Sequence, residues 1–596
     1  MESARPLYIQ ITLILVAVLF VGKLFTMQVS SDVEGGTVRT FTQYPYRGLI
    51  YDRNGDLLVT NEPQFDLMVV PFQAQGTDPG ELCELLSLTP EEFTERLAKA
   101  RAYSKTRPST FFRKLSNEEY GQLQDVLVNY PGFYVEARTV RSYPDGVLAN
   151  ILGYTGEIDQ AGLNRDTANY YRSGDYIGRA GLEAEYERDL RGQRGVKKMR
   201  ISPDGSIVGP YDNGDSDTLA ISGQDLVSTI DLELQKYAEF LMEGKVGSVV
   251  AIEPATGEIL AMVSAPSYDP NMLSGRAFST NFREISQDTL NPLFTRPTQA
   301  TYPPGSIFKI IQALVALEEE VLRPYEQIYC EGNLIGDHAP PGNYNVRRGI
   351  ILSSNNYFYK VFRRIIYQQK ASSTFEDARI GLEVWREYVS NFGLGSPMGI
   401  DFPSESRGLI PSLKTYDDIY GVKRWRFSNI YSLSIGQGEM LMTPLQMANL
   451  AAIMANKGYF YTPHLIKAIG DTGEPREEYL VKHETGIDSV HFPPVLEGMA
   501  GVVNGTARLA AIRDIAVVGK TGTAENPFGL DHSVFMAFAP AENPQIAIAV
   551  YVENAGWGGL AAAGTSSLLI EKYIKGEISR KWIEDYLVEQ RYLLSL

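Results

Sequence analysis

The sequence predicts an α+β protein with three parts: an N-terminal membrane helix, an elongated mixed α/β domain, and a C-terminal domain with a central antiparallel sheet flanked by helices. An apolar run fills residues 7–27, and residues 29–223 are polar and turn-rich. Within residues 224–596, strand-like runs lie at both ends with mostly helical sequence between them. A chain of 596 residues also exceeds what one hydrophobic core normally supports, so several domains are expected.

The composition is that of a globular protein, with 44% hydrophobic and 21% charged residues and no low-complexity tract. The formal net charge of -17 argues against nucleic acid or another polyanion as a partner. Two cysteines, Cys83 and Cys330, cannot form a disulfide framework and lack the paired spacing of a metal site.

The apolar run near the N-terminus predicts a single membrane anchor, because it is about as long as the 20 residues that a spanning helix needs. We assign residues 1–6 to a cytoplasmic tail and 7–28 to the anchor, since Arg5 precedes the run and acidic residues follow it. A cleaved signal peptide is the alternative, but no A-x-A-like site follows. The bulk of the chain is therefore expected outside the inner (cytoplasmic) membrane, in a periplasmic or other extracytoplasmic location.

Residues 29–223 read as a first domain with mixed strand and helix signals. The stretch 47–61 predicts a hairpin, because two apolar runs flank the turn Asp52-Arg53-Asn54-Gly55. Residues 202–217 are rich in Asp, Gly and Pro and predict further turns or a linker.

Residues 224–596 read as a second domain whose sheet is assembled from both ends. A helix capped at 229–231 is expected to run to Leu241, followed by a hairpin over 247–266. The remaining elements are three strands and a final helix, predicted at 514–525, 532–540, 545–555 and 565–576.

Ser306 and Lys309 begin an apolar helical run after Pro303-Pro304-Gly305. Their spacing places both side chains on one face, and apolar surroundings lower the pKa of a lysine. A neutral amine beside a serine hydroxyl is a candidate general base for a nucleophile. The alternative is that Ser306 only caps the helix, because S-x-x-K is a common tetrapeptide.

Two further stretches carry polar groups suited to the same chemistry. Ser353-Ser354-Asn355 precedes an aromatic helical run, and its serine and asparagine suit proton transfer and amide binding. Lys520-Thr521-Gly522-Thr523 lies on a predicted strand, where Gly522 would let a peptide lie along the edge. Alone, these stretches are equally consistent with a polar helix start and a solvated edge strand.

The ordered triple S-x-x-K, S-x-N and K-T-G resembles the signature of penicillin-recognising acyl-serine transferases. Further motifs resemble the class B penicillin-binding proteins, closest to their elongation type: "RGLIYDRNGDLL", "GRAGLEAEYERDLRGQRG" and "SIGQGEMLMTPLQMAN". Residues 525–540 are similar to Bacteroidetes-type members, and His532 favours elongation over division. The resemblance implies a pedestal, dimerisation-like domain over 29–223 and a penicillin-binding transpeptidase domain over 224–596.

The resemblance also implies roles for the motif residues in cross-linking peptidoglycan stem peptides that end in D-Ala-D-Ala. Ser306 would be the nucleophile, Lys309 the base, Ser353 a proton relay and Asn355 an orienting group. The donor carboxylate would be held electrostatically by Lys520, Thr521 and Thr523 of the third motif, with Gly522 leaving room for the peptide along the strand. β-Lactams would acylate the same serine, no metal or organic cofactor is implied, and the implied partners are a SEDS-type glycosyltransferase and other elongation-complex proteins.

The sequence departs from the family pattern at several positions. Ser354 stands where many relatives have cysteine, and Glu525 replaces a common glutamine. Some relatives carry zinc before the second motif; Cys330, Asp337 and His338 are candidate remnants of such a site, but their spacing favours ordinary loop residues.

Two alternatives remain for the function. The acyl-enzyme could be resolved by water, as in a D,D-carboxypeptidase or β-lactamase, although the large first domain and the anchor argue against a secreted β-lactamase. The chain could instead be a β-lactam-binding sensor or scaffold, although the leader over residues 1–6 leaves no room for an output domain.

Overall fold

The computed structural model describes residues 5–25, 37–74, 76, 78–202, 207–470, 476–527 and 529–592. Most of the predicted tail and the last residues of the predicted anchor lie outside these ranges. Across the described ranges, no helix combines the length and apolar character that crossing a membrane requires. The anchor therefore stays a prediction.

The helices of the first half of the chain are α1 Arg5–Phe25, α2 Gly80–Leu85, α3 Pro90–Tyr103, α4 Asn117–Val126, α5 Ala149–Leu152, α6 Gln160–Arg165, α7 Gly181–Glu185, α8 Glu187–Leu190, α9 Leu232–Met242, α10 Phe278–Gln287 and α11 Arg296–Gln299. Those of the second half are α12 Lys309–Glu318, α13 Val346–Ile351, α14 Asn355–Ile366, α15 Thr374–Asn391, α16 Leu413–Tyr420, α17 Phe427–Ile430, α18 Pro444–Asn456, α19 Phe492–Val503, α20 Ala561–Lys575 and α21 Lys581–Glu589.

The strands before α9 are β1 Thr37–Gln43, β2 Ile50–Tyr51, β3 Leu57–Val69, β4 Ser109–Leu115, β5 Phe133–Ser142, β6 Thr155–Glu157, β7 Tyr176–Gly178, β8 Gly195–Ile201, β9 Ile207–Pro210 and β10 Leu226–Ser228. The later strands are β11 Gly247–Ile252, β12 Ile259–Ala265, β13 Ile328–Cys330, β14 Gly342–Tyr344, β15 Tyr459–Tyr461, β16 Ile466–Ile469, β17 Lys482–Glu484, β18 Val518–Ala524, β19 His532–Ala539 and β20 Ile546–Val552.

The chain folds into two compact units that are discontinuous in sequence. The first holds the described residues of 1–47 together with 64–138 and 192–223, and the second holds 48–63, 139–191 and 224–596. The predicted domains meet once, between residues 223 and 224, whereas segments of the two compact units alternate along the chain before that point. The predicted boundary therefore stays a prediction.

The first unit contains an antiparallel sheet in the order β1-β8-β9 and a small aromatic core. Phe111 lies at the centre of this core, with its ring centroid 4.9 Å from that of Phe93 and 5.0 Å from that of Phe133. Edge-on aromatic contacts of this kind add to the burial of apolar area. Thr89 forms a capping box at the start of α3, which satisfies backbone donors there.

The second unit is built on a five-stranded antiparallel sheet in the order β12-β11-β20-β19-β18. The first two strands and the last three come from opposite ends of residues 224–596, which confirms the predicted arrangement. Every residue of β11, β12 and β20 is buried. Strands buried along their whole length require cover on both faces, and α9, α18, α19 and α20 pack against this sheet.

The predicted hairpins and the predicted helix start are confirmed. β2 pairs with β3 across the turn at 52–55, and β11 pairs with β12 across the turn that ends at Gly257. Asp231 caps α9, because its carboxylate accepts from the backbone N–H of Leu234 at 2.9 Å.

The prediction of a final helix at 565–576 was wrong in one respect, because α21 follows α20. Gly576 adopts φ +77° and ends α20, as glycine commonly does at a helix C-terminus. α21 then returns to bury Ile583 and Leu587, and Arg580 pairs with the buried Glu571 at 3.0 Å. An amphipathic pattern this short does not by itself separate a helix from a loop.

Candidate active site

A cleft of about 180 Å³ opens on the second unit beside the edge strand β18. It is lined by five of the eight predicted site residues: Ser306, Ser353, Asn355, Thr521 and Thr523. Lys309 and Lys520 are fully buried, and Gly522 is buried on the strand. All three sequence motifs therefore meet at one place.

Ser306 lies in a 3-10 turn, Gly305–Phe308, that leads directly into α12. In a 3-10 turn, side chains three residues apart lie over one another, so Ser306 and Lys309 share a face as predicted. Ser306 does not cap a helix, because neither this turn nor α12 receives a side-chain cap. The interpretation of Ser306 as a helix cap is therefore wrong.

Lys309 is held by three hydrogen bonds behind the cleft. Its Nζ donates to the Ser353 carbonyl at 2.6 Å, to Asn355 Oδ1 at 2.6 Å and to Ser353 Oγ at 3.3 Å. Burial lowers the pKa of Lys309 to about 7, and the negative charge of Asp337 acts in the opposite direction. A substantial fraction of Lys309 is therefore neutral near neutral pH.

The second motif forms a turn before α14. Ser353 has φ +53°, in the left-handed region that non-glycine residues seldom adopt. Ser354 caps α14 by accepting from the Tyr357 N–H at 3.2 Å, and Asn355 Nδ2 donates to the Gly336 carbonyl at 2.5 Å. The cap interpretation thus holds for Ser354, while Ser353 and Asn355 face the cleft.

Lys520 reaches the same hydroxyl as Lys309. Its Nζ donates to Ser353 Oγ at 2.9 Å and to the Thr521 carbonyl at 2.8 Å. Burial, together with the positive charge of Lys309, lowers the pKa of Lys520 well below its ordinary value. Two amines that share one acceptor in a buried site cannot both carry full charge at low cost.

Gly522 packs against the turn that carries Ser306. A Cβ at this position would lie 3.0 Å from the Pro304 carbonyl oxygen, 3.1 Å from Ile307 Cγ2 and 3.2 Å from Val534 Cβ. The missing side chain therefore lets the strand and the turn approach closely, rather than freeing space for a peptide in the cleft. Thr521 and Thr523 supply the strand's side chains to the cleft instead.

Several residues that line the cleft were not predicted as site residues. They are Asp337, His338, Leu352, Ile435, Gln437, Thr506, Glu525, Asp531, Trp557, Gly558 and Gly559. Trp557 is 60% exposed, and its ring lies 5.8 Å from that of His338. Asp337 and His338 were noted in the sequence only as candidate remnants of a zinc site, and Glu525 only as a departure from the family pattern. No sequence signal gave these residues a place in the cleft, because they come from loops whose position depends on packing.

Cys330, Asp337 and His338 do not converge into a metal site. The buried thiol of Cys330 is directed at the Ile328 carbonyl, and His338 faces Trp557. Asp337 uses its carboxylate in hydrogen bonds to Ser354 of the second motif and to the adjacent Asn356. In the described part of the chain, no three His, Cys, Asp or Glu side chains are grouped to hold a metal ion. The residues present do not fit zinc.

Comparison with known families gives two matches. The penicillin binding protein transpeptidase domain matches residues 247–570, and the penicillin-binding protein dimerisation domain matches residues 42–228. The first match covers more than half of the chain and contains all three motifs.

Individual relatives agree over nearly the full length. Peptidoglycan D,D-transpeptidase MrdA of Haemophilus influenzae is 31% identical over 593 residues, covering 93% of this chain and 88% of that protein. A solved peptidoglycan synthase complex that coordinates polymerization and crosslinking contains a chain 26% identical, with a TM-score of 0.72 and coverage of 97% and 100%. The Helicobacter pylori complex of penicillin-binding protein 2 (PBP2) with MreC has a chain 25% identical, with a TM-score of 0.70 and coverage of 90% and 100%. The chain therefore belongs to the class B penicillin-binding proteins, as a homologue of the peptidoglycan D,D-transpeptidases MrdA and PBP2.

Proposed function

We propose that this protein is a serine-type peptidoglycan D,D-transpeptidase that cross-links stem peptides during cell-wall elongation and maintenance of cell shape. The observation that carries the proposal is the contact of two buried lysines, Lys309 and Lys520, with one hydroxyl of Ser353, in a cleft lined by Ser306. Such a group can accept, hold and return a proton without a metal or an organic cofactor.

Acylation begins with attack of Ser306 Oγ on the carbonyl carbon of the penultimate D-Ala. Neutral Lys309 accepts the hydroxyl proton as the new C–O bond forms. The backbone N–H groups of Ser306 and Thr523 stabilise the oxyanion. When the C–N bond breaks, the leaving amine of the terminal D-Ala receives a proton through Ser353 Oγ, whose contacts with both lysines suit this relay.

Donor binding uses the edge of β18. Thr521 and Thr523 line the cleft and offer hydroxyl donors to the terminal carboxylate of the stem peptide. Lys520 lies behind the cleft, where its contact with Ser353 Oγ suits proton transfer. Asn355 holds Lys309 at 2.6 Å and thereby orients the base.

Cross-linking completes the reaction. The amine of an acceptor stem peptide attacks the acyl carbon, Lys309 takes a proton from the amine, and Ser306 leaves with a proton returned through the same relay. β-Lactams would acylate Ser306 by the same first step, because they present a strained amide where the D-Ala-D-Ala bond lies. Transfer to water defines the alternative function, a carboxypeptidase or β-lactamase.

A role only as a β-lactam-binding sensor or scaffold is the other alternative. Acylation of a sensor by a β-lactam would use the same base, so Lys309 does not separate this role from transpeptidation, whereas formation of a cross-linked product does. Scaffolding and catalysis are compatible in one chain, and the family match over residues 42–228 leaves a large part of the protein for contacts with other proteins.

We infer that the partners include a SEDS-type glycosyltransferase and other elongation-complex proteins. The similar structures of a peptidoglycan synthase complex and of a PBP2–MreC complex support this assignment. Co-purification of the full chain with such partners from detergent-solubilised membranes would test it, and recovery of the chain alone would count against it.

We also infer a single N-terminal anchor in the cytoplasmic membrane, with the bulk of the protein in the periplasm. The exposed apolar side chains of α1, such as Leu15, Val18 and Phe20, support contact with lipid. Sodium carbonate washing should leave the wild-type protein in the membrane pellet. Leu15→Glu combined with Val18→Glu should release it, because charges near the bilayer centre are costly. Release of the wild type would refute the anchor.

The catalytic proposal is tested by mass spectrometry of the purified full chain after treatment with penicillin. The adduct is expected on the peptide that contains Ser306 and is expected to be absent from Ser306→Ala. Incubation with glycan strands bearing pentapeptides should then yield cross-linked dimers and free D-Ala only with the wild type. An adduct elsewhere, or undiminished labelling of folded Ser306→Ala, would refute the assignment of the nucleophile.

A further inference from the structure

One side chain outside the three motifs is hydrogen-bonded to the turn that carries the second motif, at Ser354 and at the adjacent Asn356. The Asp337 carboxylate accepts from Ser354 Oγ at 2.7 Å, from the Asn356 N–H at 2.9 Å and from Asn356 Nδ2 at 3.0 Å. Its other oxygen accepts from the Ala339 N–H at 3.1 Å. Although burial alone would raise the pKa of Asp337, these hydrogen bonds hold it below its ordinary value, so the group is an anion at neutral pH.

The segment that carries Asp337 is tied to the same turn by further bonds. Asn356 Oδ1 accepts from the Leu334 N–H at 2.9 Å, and Asn356 Nδ2 donates to the Ile335 carbonyl at 3.1 Å. Asn355 Nδ2 donates to the Gly336 carbonyl at 2.5 Å. The start of α14 and residues 334–337 therefore form one hydrogen-bonded unit at the wall of the cleft.

This unit holds a backbone conformation that costs free energy. In the left-handed region the Cβ of a non-glycine residue comes too close to the following carbonyl oxygen, and Ser353 is such a residue with φ +53°. The flanking hydroxyl of Ser354 is held by Asp337, which restrains the turn from its C-terminal side. Strained residues of this kind persist where surrounding contacts determine them.

We infer that Asp337 is a positioning residue of the proposed transpeptidase, holding the Ser353 turn where its hydroxyl contacts both lysines. The inference rests on the proposed function. In this chain the second motif is supported by a hydrogen-bonded carboxylate, rather than by a metal ion. Asp337 touches no reacting atom in this arrangement and acts through its hydrogen bonds to Ser354 and Asn356.

Asp337 has a second effect, through its charge on the base. The charged groups that face Lys309 are Asp337 and Lys520, and the other neighbours are uncharged: Ser353, Asn355 and the Phe358 ring at 5.8 Å. The carboxylate raises the pKa of Lys309 against the effect of burial. Neutralising Asp337 should therefore move the titration of the base to lower pH.

The experiment measures the second-order rate of labelling by a fluorescent penicillin, from pH 5.5 to 9, on the full chain. Asp337→Ala should slow labelling by about 10- to 100-fold, because it leaves buried donors of the turn without an acceptor. Asp337→Asn should give a smaller loss and an acid limb displaced to lower pH. Glu331→Gln is the matched control. It removes a nearby carboxylate that pairs with Lys360 and not with the second motif.

The stoichiometry of labelling separates positioning from loss of fold. Asp337→Ala should still label to completion, because positioning changes the rate and not the number of folded molecules. If Asp337 variants do not fold, Ser354→Ala keeps the carboxylate and should slow labelling by about 3- to 10-fold through loss of one hydrogen bond. A wild-type rate in Asp337→Ala or in Ser354→Ala, or an equal loss in Glu331→Gln, would overturn the inference.

The outcome is independent of the test of the nucleophile. Labelling that survives in Ser306→Ala refutes the proposed function, whichever result Asp337 gives. Labelling that depends on Ser306 but is unchanged in Asp337→Ala refutes only the positioning role. Zinc or a chelator should alter the rate of neither wild type nor Glu331→Gln, and a zinc-dependent rate in the wild type would also overturn the inference.

Discussion

Lys309 and Lys520 are bound to the same hydroxyl, Ser353 Oγ, at 3.3 Å and 2.9 Å respectively, although neither side chain has measurable exposure to solvent. Burial disfavours the charged form of each lysine, and a charge on Lys309 further disfavours a charge on Lys520. The arrangement therefore keeps an uncharged amine close to the turn that carries Ser306. Burial of the two amines lowers the free energy of unfolding.

Replacement of the base should lower activity and raise stability together. Lys309→Met keeps the length of the side chain and removes the amine, so acylation by penicillin should fall by about 10²- to 10⁴-fold. The same change should stabilise the fold by about 1 to 4 kcal/mol, as replacement of buried charged groups by apolar ones can do. Stopped-flow labelling and urea unfolding measure the two effects.

An acylation rate within threefold of the wild type would mean that the base lies elsewhere. Lys360→Met is the control for the loss of a lysine, because that side chain pairs with Glu331 on the surface of α14.

The acylation rate should depend on pH through Lys309. Its pKa is about 7 and only the neutral amine accepts a proton, so the rate should fall about tenfold for each pH unit below that value and level off above it. The test of this pH dependence is to measure acylation rates from pH 5.5 to 9. The penicillin used should be one whose own carboxylate stays ionised over that range. A rate that stays constant across this range would contradict the assignment.

The free energy of unfolding should also depend on pH through Lys309. The folded pKa of Lys309 lies below the ordinary value of 10.5, so the unfolded chain binds more protons between pH 7 and 10.5. The contribution of Lys309 to stability should therefore rise with pH through this window. The difference in unfolding free energy between wild type and Lys309→Met should be largest below pH 7 and should shrink above it.

The close approach of the Ser306 turn to β18 should be sensitive to one methyl group. Gly305 has φ +57°, and a Cβ there would lie 2.7 Å from the Thr523 carbonyl oxygen, so Gly305→Ala must displace the turn. Acylation should fall by about 10- to 100-fold, because small misplacements of a reacting group are costly. Gly576→Ala is the matched control, with φ +77° and no atom within 4 Å of the added methyl group.

Both alanine variants carry the backbone cost of a left-handed residue, and only Gly305→Ala carries the contact. Equal acylation rates in the two variants would show that the turn tolerates the shift, and would remove the geometric argument for Gly305.

The acyl-enzyme should be long-lived towards water. After excess penicillin is removed, the label should stay on Ser306, with about one penicillin consumed per protein. Rapid loss of label with many penicillins hydrolysed would instead favour the hydrolase alternative. When the acyl group on Ser306 comes from a donor stem peptide instead of penicillin, an added acceptor amine with the chemistry of a stem peptide should release it as a cross-linked product.

Much of the fold follows from local pattern. The apolar period of 309–317 predicts a buried helix, and Lys309 to Leu317 are all buried in α12. Alternating and continuous apolar runs locate β11, β12 and β18 to β20, and the turn residues between them locate the hairpins. These features depend on residues within one or two turns of each other, which the sequence displays directly.

The sequence by itself thus determined the helix after Ser306, the strands of the five-stranded sheet and the residues of the three motifs. Only the tertiary structure decided that Lys309 meets Ser353 across 44 residues, and that Ser353 meets Lys520 across 167. It also assigned Asp337 to the second motif and turned Gly522 towards the Ser306 turn. The physical reason is that the packing of distant segments sets these contacts, together with the burial that lowers the lysine pKa values, whereas local pattern encodes only the period and ends of each element.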